Sequence, residues 1–197
     1  MSTPIKAPEQ GSLAVSSLAQ ARKHKRRYDA VITLEDPGCR LPDRLRFSAQ
    51  PMPAHLVLQF EDVDDDSLGI RVATREQVID ALAFAQAHQA GSLLVHCYHG
   101  VGRSAGIALA IMASRLGAGS EEKALADLLE IRPEATPNLV VVKLADGILG
   151  RNGALVSAVA DWQKRTPRVL QARRDRAAFV RRAAHLYAHV PPVDSDQ

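Results

Sequence analysis

Residues 92 to 104, SLLVHCYHGVGRS, set a cysteine, two glycines, an arginine and a serine between a short apolar run and an alanine-rich apolar stretch. Leu93, Leu94 and Val95 read as a buried strand, and SAGIALAIMASRLG, closed by Gly117, reads as a helix. A loop at such a junction gathers its own N–H groups and the unpaired amides of the helix start around one point, where an anion can sit. Gly100 and Gly102 give that loop the backbone freedom to close on a ligand. Cys97 then lies at the floor of the site, where oriented amides and an arginine favour the thiolate and make the sulfur nucleophilic. Arg103 offers a planar fork that holds two phosphate oxygens and follows them as the phosphoryl group becomes trigonal. Ser104 can donate a hydrogen bond to the sulfur as it leaves, and His96 orients the loop through its ring nitrogens. The phosphate-binding amides are those of Tyr98, His99, Gly100, Val101, Gly102 and Arg103.

A thiolate that takes a phosphoryl group from an ester needs an acid to protonate the leaving oxygen, and the same carboxylate then takes a proton from attacking water. The strand HLVLQF, 55 to 60, delivers the acidic run EDVDDD, with Asp62, Asp64, Asp65 and Asp66 as candidates. Asp62 follows the strand directly and is the first choice, with Asp65 as the alternative. No metal or other cofactor is called for, because amides and arginine supply the positive field. No cysteine and histidine cluster has zinc-ligand spacing.

The pattern His-Cys-x5-Arg-Ser, here HCYHGVGRS, is the signature of the cysteine-dependent protein phosphatases. The chain resembles a small dual-specificity-type phosphatase, and among these the compact bacterial tyrosine-phosphatase-like proteins, in YDAVITLEDPG at 28 to 38 and FEDV at 60 to 63. The resemblance spans about residues 12 to 163 and supports Asp62 through its F-x-D-[IV] pattern. It implies a central, mostly parallel sheet of four or five strands flanked by helices, with the loop at the carboxyl end of a strand. It also implies hydrolysis of phosphotyrosine, and of phosphoserine or phosphothreonine, in a shallow pocket. Phosphoinositides or an RNA 5′-phosphate stay open within the same chemistry. So does a phosphate-binding pseudophosphatase and, more weakly, a sulfurtransferase. Many relatives have a small residue where this loop has His99.

The elements that must position these residues follow from the rest of the chain. At 197 residues and 46% hydrophobic content the expectation is one catalytic domain, 12 to 165, after a disordered start, 1 to 11, and before a basic helical extension, 166 to 197. Leu13 to Val15 reads as a first strand, SSLAQARKHKRRYD as a short helix capped by Ser16 or Ser17, and YDAVITL as a buried strand. Asp36, Pro37 and Gly38 turn the chain into an irregular loop, where the resemblance sets Arg44 and Arg46 near the substrate. Thr74 and Gln77 form a capping box, Ser120 and Thr136 cap later helices, and Trp162 plugs the core. Asn138 is either part of the site or merely helical.

Two cysteines exclude a disulfide framework and fit a reduced, cytoplasmic setting, and no apolar run reaches bilayer length. Cys39 is either incidental or a redox partner of Cys97. Net charge is only +3, but arginines crowd the extension beside a thin stripe of Leu170, Phe179, Val180 and Leu186. Three fates are open to that helix: docking on its own domain, binding an anionic partner such as nucleic acid or a lipid surface, or dimerisation. The substrate is a phosphorylated protein or another phosphomonoester, and oligomeric state is not set by the sequence.

Overall fold

The computed structural model describes residues 10–47, 50 and 52–191, so most of the start expected to be disordered and the last six residues of the extension lie outside the described residues. Gly11, part of that expectation, is instead tied in, donating to the Gly91 carbonyl and accepting from Arg115. Four strands, β1 (Leu13–Ser17), β2 (Ala30–Glu35), β3 (Ala54–Gln59) and β4 (Leu93–Cys97), form one sheet in the order β1-β4-β2-β3. All three pairings are parallel. Every residue of β2 and β4 is buried, as a sheet covered on both faces demands.

Alternation along β4 sends Leu93, Val95 and Cys97 into the main core, and Leu94 into a smaller cluster with Leu18, Ala21, Val31 and Leu45 on the opposite face. Helix α1 (Leu18–His24) covers that second face. Ser17 caps it through a full capping box with Gln20. The main core lies under α2 (Arg75–Ala87), α3 (Arg103–Leu116), α4 (Glu121–Ile131), α5 (Leu139–Ile148) and α6 (Ala154–Lys164). Helix α3 is buried along nearly its whole length, which its run of alanines permits by letting neighbours approach closely. Among the described residues no helix is long and apolar enough to cross a membrane.

Several local expectations are corrected. Thr136 does not cap α5, because its N–H is spent on the Val101 carbonyl and the helix begins later, with the Asn138 side chain accepting from Val141 N–H at 3.1 Å. Ser120 sits at the N-cap of α4 without a side-chain hydrogen bond; Glu121 accepts the Gly119 N–H instead, at 3.3 Å. Trp162 is half-buried at the rim of the core, whose fully buried residues on α6 are Leu155 and Val159.

The basic extension forms α7 (Pro167–Arg182), followed by a short 3₁₀ turn at Ala184–Leu186 and an antiparallel bridge between His189 and Ile70. Its buried contacts are Val169, Val180 and Ala183, not the expected Phe179 and Leu186, which are 50% and 69% exposed.

Asp146 on α5 is buried and accepts the N–H groups of Gly153 at 2.7 Å and Leu155 at 2.8 Å, so a carboxylate from one helix caps the next. Asp146→Ala leaves these donors without a partner and is expected to lower the unfolding free energy by about 2 kcal/mol, measured by urea titration. A loss below about 0.5 kcal/mol contradicts this role.

Candidate functional site

The loop from Cys97 to Arg103 sits at the carboxyl end of β4, between that strand and α3. Its carbonyls are bound from outside, one after another. Tyr98 O accepts from Leu18 N–H at 3.2 Å, His99 O and Gly100 O from the Arg132 guanidinium at 3.2 and 3.0 Å, Val101 O from Thr136 N–H at 2.9 Å, and Gly102 O from Asn138 N–H at 3.2 Å. A peptide plane whose oxygen is held outward turns its N–H inward, so these contacts aim the amides at the loop's centre. Gly100 has φ +73°, and a Cβ there would lie 2.5 Å from the Ser16 backbone, which leaves no room for a side chain.

Cys97 is buried at 2% exposure and reduced. Its Sγ accepts from Gly100 N–H at 3.2 Å and lies 3.2 Å from Ser104 Oγ. Arg103 is also buried; its Nη1 lies 2.8 Å from Asp36 Oδ1 and donates to the Phe60 carbonyl at 2.9 Å, while its Nε has no hydrogen-bond partner among the described residues. His96 lies under the loop with Nε2 at 2.8 Å from Thr33 Oγ1, which in turn is 2.7 Å from His55 Nε2. One hydroxyl hydrogen serves two rings, so Thr33 donates to one imidazole and accepts from the other. Burial pushes His96 down to about 4, against a weaker opposing contact with the Cys97 backbone, and keeps its ring neutral.

Of the four candidate aspartates, Asp62 reaches the loop. A Cβ on Gly102 would lie 2.4 Å from Asp62 Oδ2, so the carboxylate rests directly on that glycine. Asn138 Nδ2 donates to Asp62 Oδ1 at 3.1 Å and to the Val63 carbonyl, and Arg176 lies 3.4 Å from Asp62 Oδ2. Asn138 therefore caps α5 and holds the acidic loop at once. Asp64 turns to the first turn of α5, accepting from Leu139 N–H at 2.8 Å. Asp65 accepts from the Ser67 N–H and hydroxyl, which lower its pKa, and Asp66 pairs with Lys143 at 2.7 Å.

A cleft of about 370 Å³ opens over the site. Tyr98, His99 and Arg103 come from the loop, Asp36 and Pro37 from the turn after β2, Glu61 and Asp62 from the acidic run, and Arg176, Leu186 and Tyr187 from the C-terminal segment. Cys97 and His96 line a smaller adjoining pocket that shares Asp36, Tyr98 and Arg103 with the cleft and includes Cys39. Burial, then the charges of Glu35, Asp36 and Asp43, push the Cys39 thiol up, which opposes its reactivity. His99 is exposed at the mouth, edge-on to Tyr98, and does not fill the pocket. Arg44 is turned to Glu35 at 3.4 Å and to the Cys39 carbonyl, and neither it nor Arg46 lines the cleft.

Four site residues were not singled out from the sequence in these roles: Asp36, Glu61, Arg132 and Arg176. Asp36 carried a turn signal and Glu61 sat in the acidic run beside Asp62, whereas Arg132 and Arg176 carried no signal of a site. Burial raises the Glu61 carboxyl, whose Oε1 accepts from Ala188 N–H at 3.0 Å.

No protein-family model matches the sequence, and no curated protein matches it significantly. Solved structures do. PTPMT1, also solved in complex with PI(5)P, superposes at a TM-score of 0.51 and 19% identity, over 73% of this chain and 95% of its own. Human DUSP28 superposes at 0.52 and 21%, over 73% and 95%. A mouse putative dual specificity phosphatase, complexed with zinc tungstate, superposes at 0.53 and 21%, over 81% and 96%. The chain has the fold of the dual-specificity and tyrosine phosphatases.

The neutral His96 links stability to pH. An unfolded histidine takes up a proton near pH 6.5, while folded His96 resists until about 4, so stability present at neutral pH is lost as pH falls through that window. His55, also lowered by burial, adds in the same direction. Between pH 7 and 5 the unfolding free energy is expected to fall by about 2 kcal/mol. Denaturant titrations should show a flatter slope in His96→Asn; equal slopes exclude this origin.

Proposed function

We propose that the chain is a cysteine-dependent phosphatase acting on phosphomonoesters, phosphotyrosine and also phosphoserine or phosphothreonine, through a phosphocysteine on Cys97. The observation that carries this reading is the meeting of Asp62, from the β3 side of the fold, with Gly102 in the loop between Cys97 and Arg103. Arg103 lines both the cleft that holds Asp62 and the adjoining pocket that holds Cys97, and a nucleophile, an arginine fork and a carboxylate so arranged suit a phosphoryl group.

In the first step the Cys97 thiolate attacks phosphorus. The S–P bond forms as the ester P–O bond breaks, and a proton on the Asp62 carboxyl passes to the leaving oxygen. In the second step water attacks the same phosphorus and gives its proton to the Asp62 carboxylate. The S–P bond breaks, and the sulfur leaves as a thiolate that accepts a hydrogen bond from Ser104, already 3.2 Å away. The inward amides of 98 to 103 hold the phosphoryl oxygens, and Arg103 Nε, buried without a partner among the described residues, is a donor one of those oxygens satisfies. No step calls on a metal. A reduced, cytoplasmic setting suits a mechanism that needs the free thiol.

Tyr98 and Tyr187 line the cleft and give an aryl phosphate apolar walls to enter. An inositol phosphate remains a substrate of the same chemistry. A phosphate-binding module without turnover is the second reading, favoured by the pairing of Arg103 with Asp36 and by the burial of Sγ.

Hydrolysis of an aryl phosphate in the presence of a metal chelator separates the two. Turnover should persist with chelator, vanish in Cys97→Ser, and fall about 100-fold in kcat in Asp62→Asn, while Asp65→Asn stays within about threefold. Vanadate binding with no turnover by the native protein would establish the binding module instead.

A further inference from the structure

The loop that carries Asp62 has little to hold it by itself. Residues 60 to 69 contain neither helix nor strand, and four aspartates fall at positions 62, 64, 65 and 66 beside Glu61, so the segment repels itself. Three of the four meet an arginine of α7: Asp62 meets Arg176 at 3.4 Å, Asp64 meets Arg173 at 2.6 Å and Asp65 meets Arg181 at 3.6 Å. On α7, Val169, Arg173, Arg176 and Val180 recur at i, i+4, i+7 and i+11, a single helical stripe in which two apolar contacts bracket two arginines. Val180 packs against Val63 and Ile70. Beyond the helix the chain pairs with the loop's exit: Arg71 N–H donates to the Ala188 carbonyl at 2.7 Å and Val190 N–H to the Gly69 carbonyl at 2.9 Å.

Arg173 is the best placed of these groups. Its side chain is 11% exposed, one arm reaches Asp64 Oδ2, and the other donates to the Pro137 carbonyl at 2.7 Å. Asp64 Oδ1 meanwhile accepts from Leu139 N–H. The fork thus fastens the acidic loop to the start of α5, the same turn whose Asn138 holds Asp62. Arg181, 66% exposed, is too well solvated to match it.

We infer that the C-terminal segment 167 to 190 belongs to the active site, with Arg173 a positioning residue that, through Asp64, keeps the Asp62 carboxylate seated on Gly102. This rests on Asp62 acting as the general acid, as proposed above. Arg176 touches the Asp62 carboxylate itself, so its removal changes charge as well as position. Arg173 makes no hydrogen bond or ion pair with Asp62 and does not line the cleft, although the two residues border one neighbouring pocket with Gly102, so its removal acts on Asp62 indirectly, through the Asp64 pair.

Leaving-group chemistry tests this in the full-length chain. Dinitrophenyl phosphate releases a phenolate stable enough to depart without a proton, whereas phenyl phosphate needs the acid. Arg173→Ala should lower kcat for phenyl phosphate by about 30- to 100-fold with KM little changed, and lower kcat for dinitrophenyl phosphate by less than about threefold. Asp64→Asn, which breaks the same pair from the loop side, should give the same pattern. Arg173→Ala should add little in an Asp62→Asn background, because both remove one function. Equal losses on the two substrates, no loss on either, or additivity with Asp62→Asn would overturn the inference. Should Arg173→Ala not fold, Arg173→Lys, which keeps the charge but not the fork, decides on the same ratio of substrates. A native protein that turns over neither substrate brings down the phosphatase reading itself, an outcome distinct from the failure of Arg173 alone.

Discussion

The outward tethering of five consecutive carbonyls, 98 to 102, is the constraint on which the site depends. A loop of this length has no ladder of its own, and its amides converge only while every peptide plane is held. The partners come from well-separated parts of the chain: the first residue of α1, the end of α4, and Thr136 and Asn138 ahead of α5. Each bond contributes only about 1 kcal/mol net. Their effect is geometric, since they make the loop's shape a property of the whole domain. The sheet supplies the remaining anchor, because β4 pairs on both sides and ends at Cys97 in register with Ser17 of β1.

The same economy of partners places the carboxylate. Asn138 uses its backbone N–H on Gly102, its side-chain carbonyl on the first turn of α5, and its side-chain amide on Asp62 and Val63. One buried residue therefore joins the phosphate loop, a helix start and the acidic loop. A substitution there disturbs three things together, which sets it apart from an ordinary cap.

Much of this was legible in advance, for physical reasons that differ from element to element. The strand, loop and helix around Cys97 are encoded locally, in an apolar run, two glycines and a small-residue helix, and they lie where the sequence puts them. The boundary of α5 was not local. Thr136 and Pro137 have the composition of a helix start, but the loop takes the Thr136 N–H, and the helix yields two residues to Asn138. Arg132 reads as one more charge at a helix end, and only the packing of α4 beside the loop shows that it holds two carbonyls. Asp36 shows the limit most plainly: its sequence signal was a turn, and its contact with Arg103 spans chain segments that no spacing rule connects.

The basic helix shows what composition leaves open when charge is counted by segment and not by face: of the fates read from the sequence, docking on its own domain is the one the fold displays. Counted along the chain, the arginines of α7 form a cationic tail that invites an anionic partner. In the fold, Arg173, Arg176 and Arg181 face the acidic run, an anion supplied by the chain itself some hundred residues earlier. The two oppositely charged segments that looked like separate surface features are one interface, closed by Val180 at its centre. Arg168, Arg174 and Arg182 face water without meeting the acidic run, beside half-exposed Phe179 and the solvated Arg181 on the same helix. Any anionic partner would meet those residues, and binding there need not disturb the pairs that hold the acidic loop. The charge that shapes the site is concentrated at Arg173 and Arg176, on the stripe that Val169 and Val180 bury, and Arg181 at its edge is shared with water.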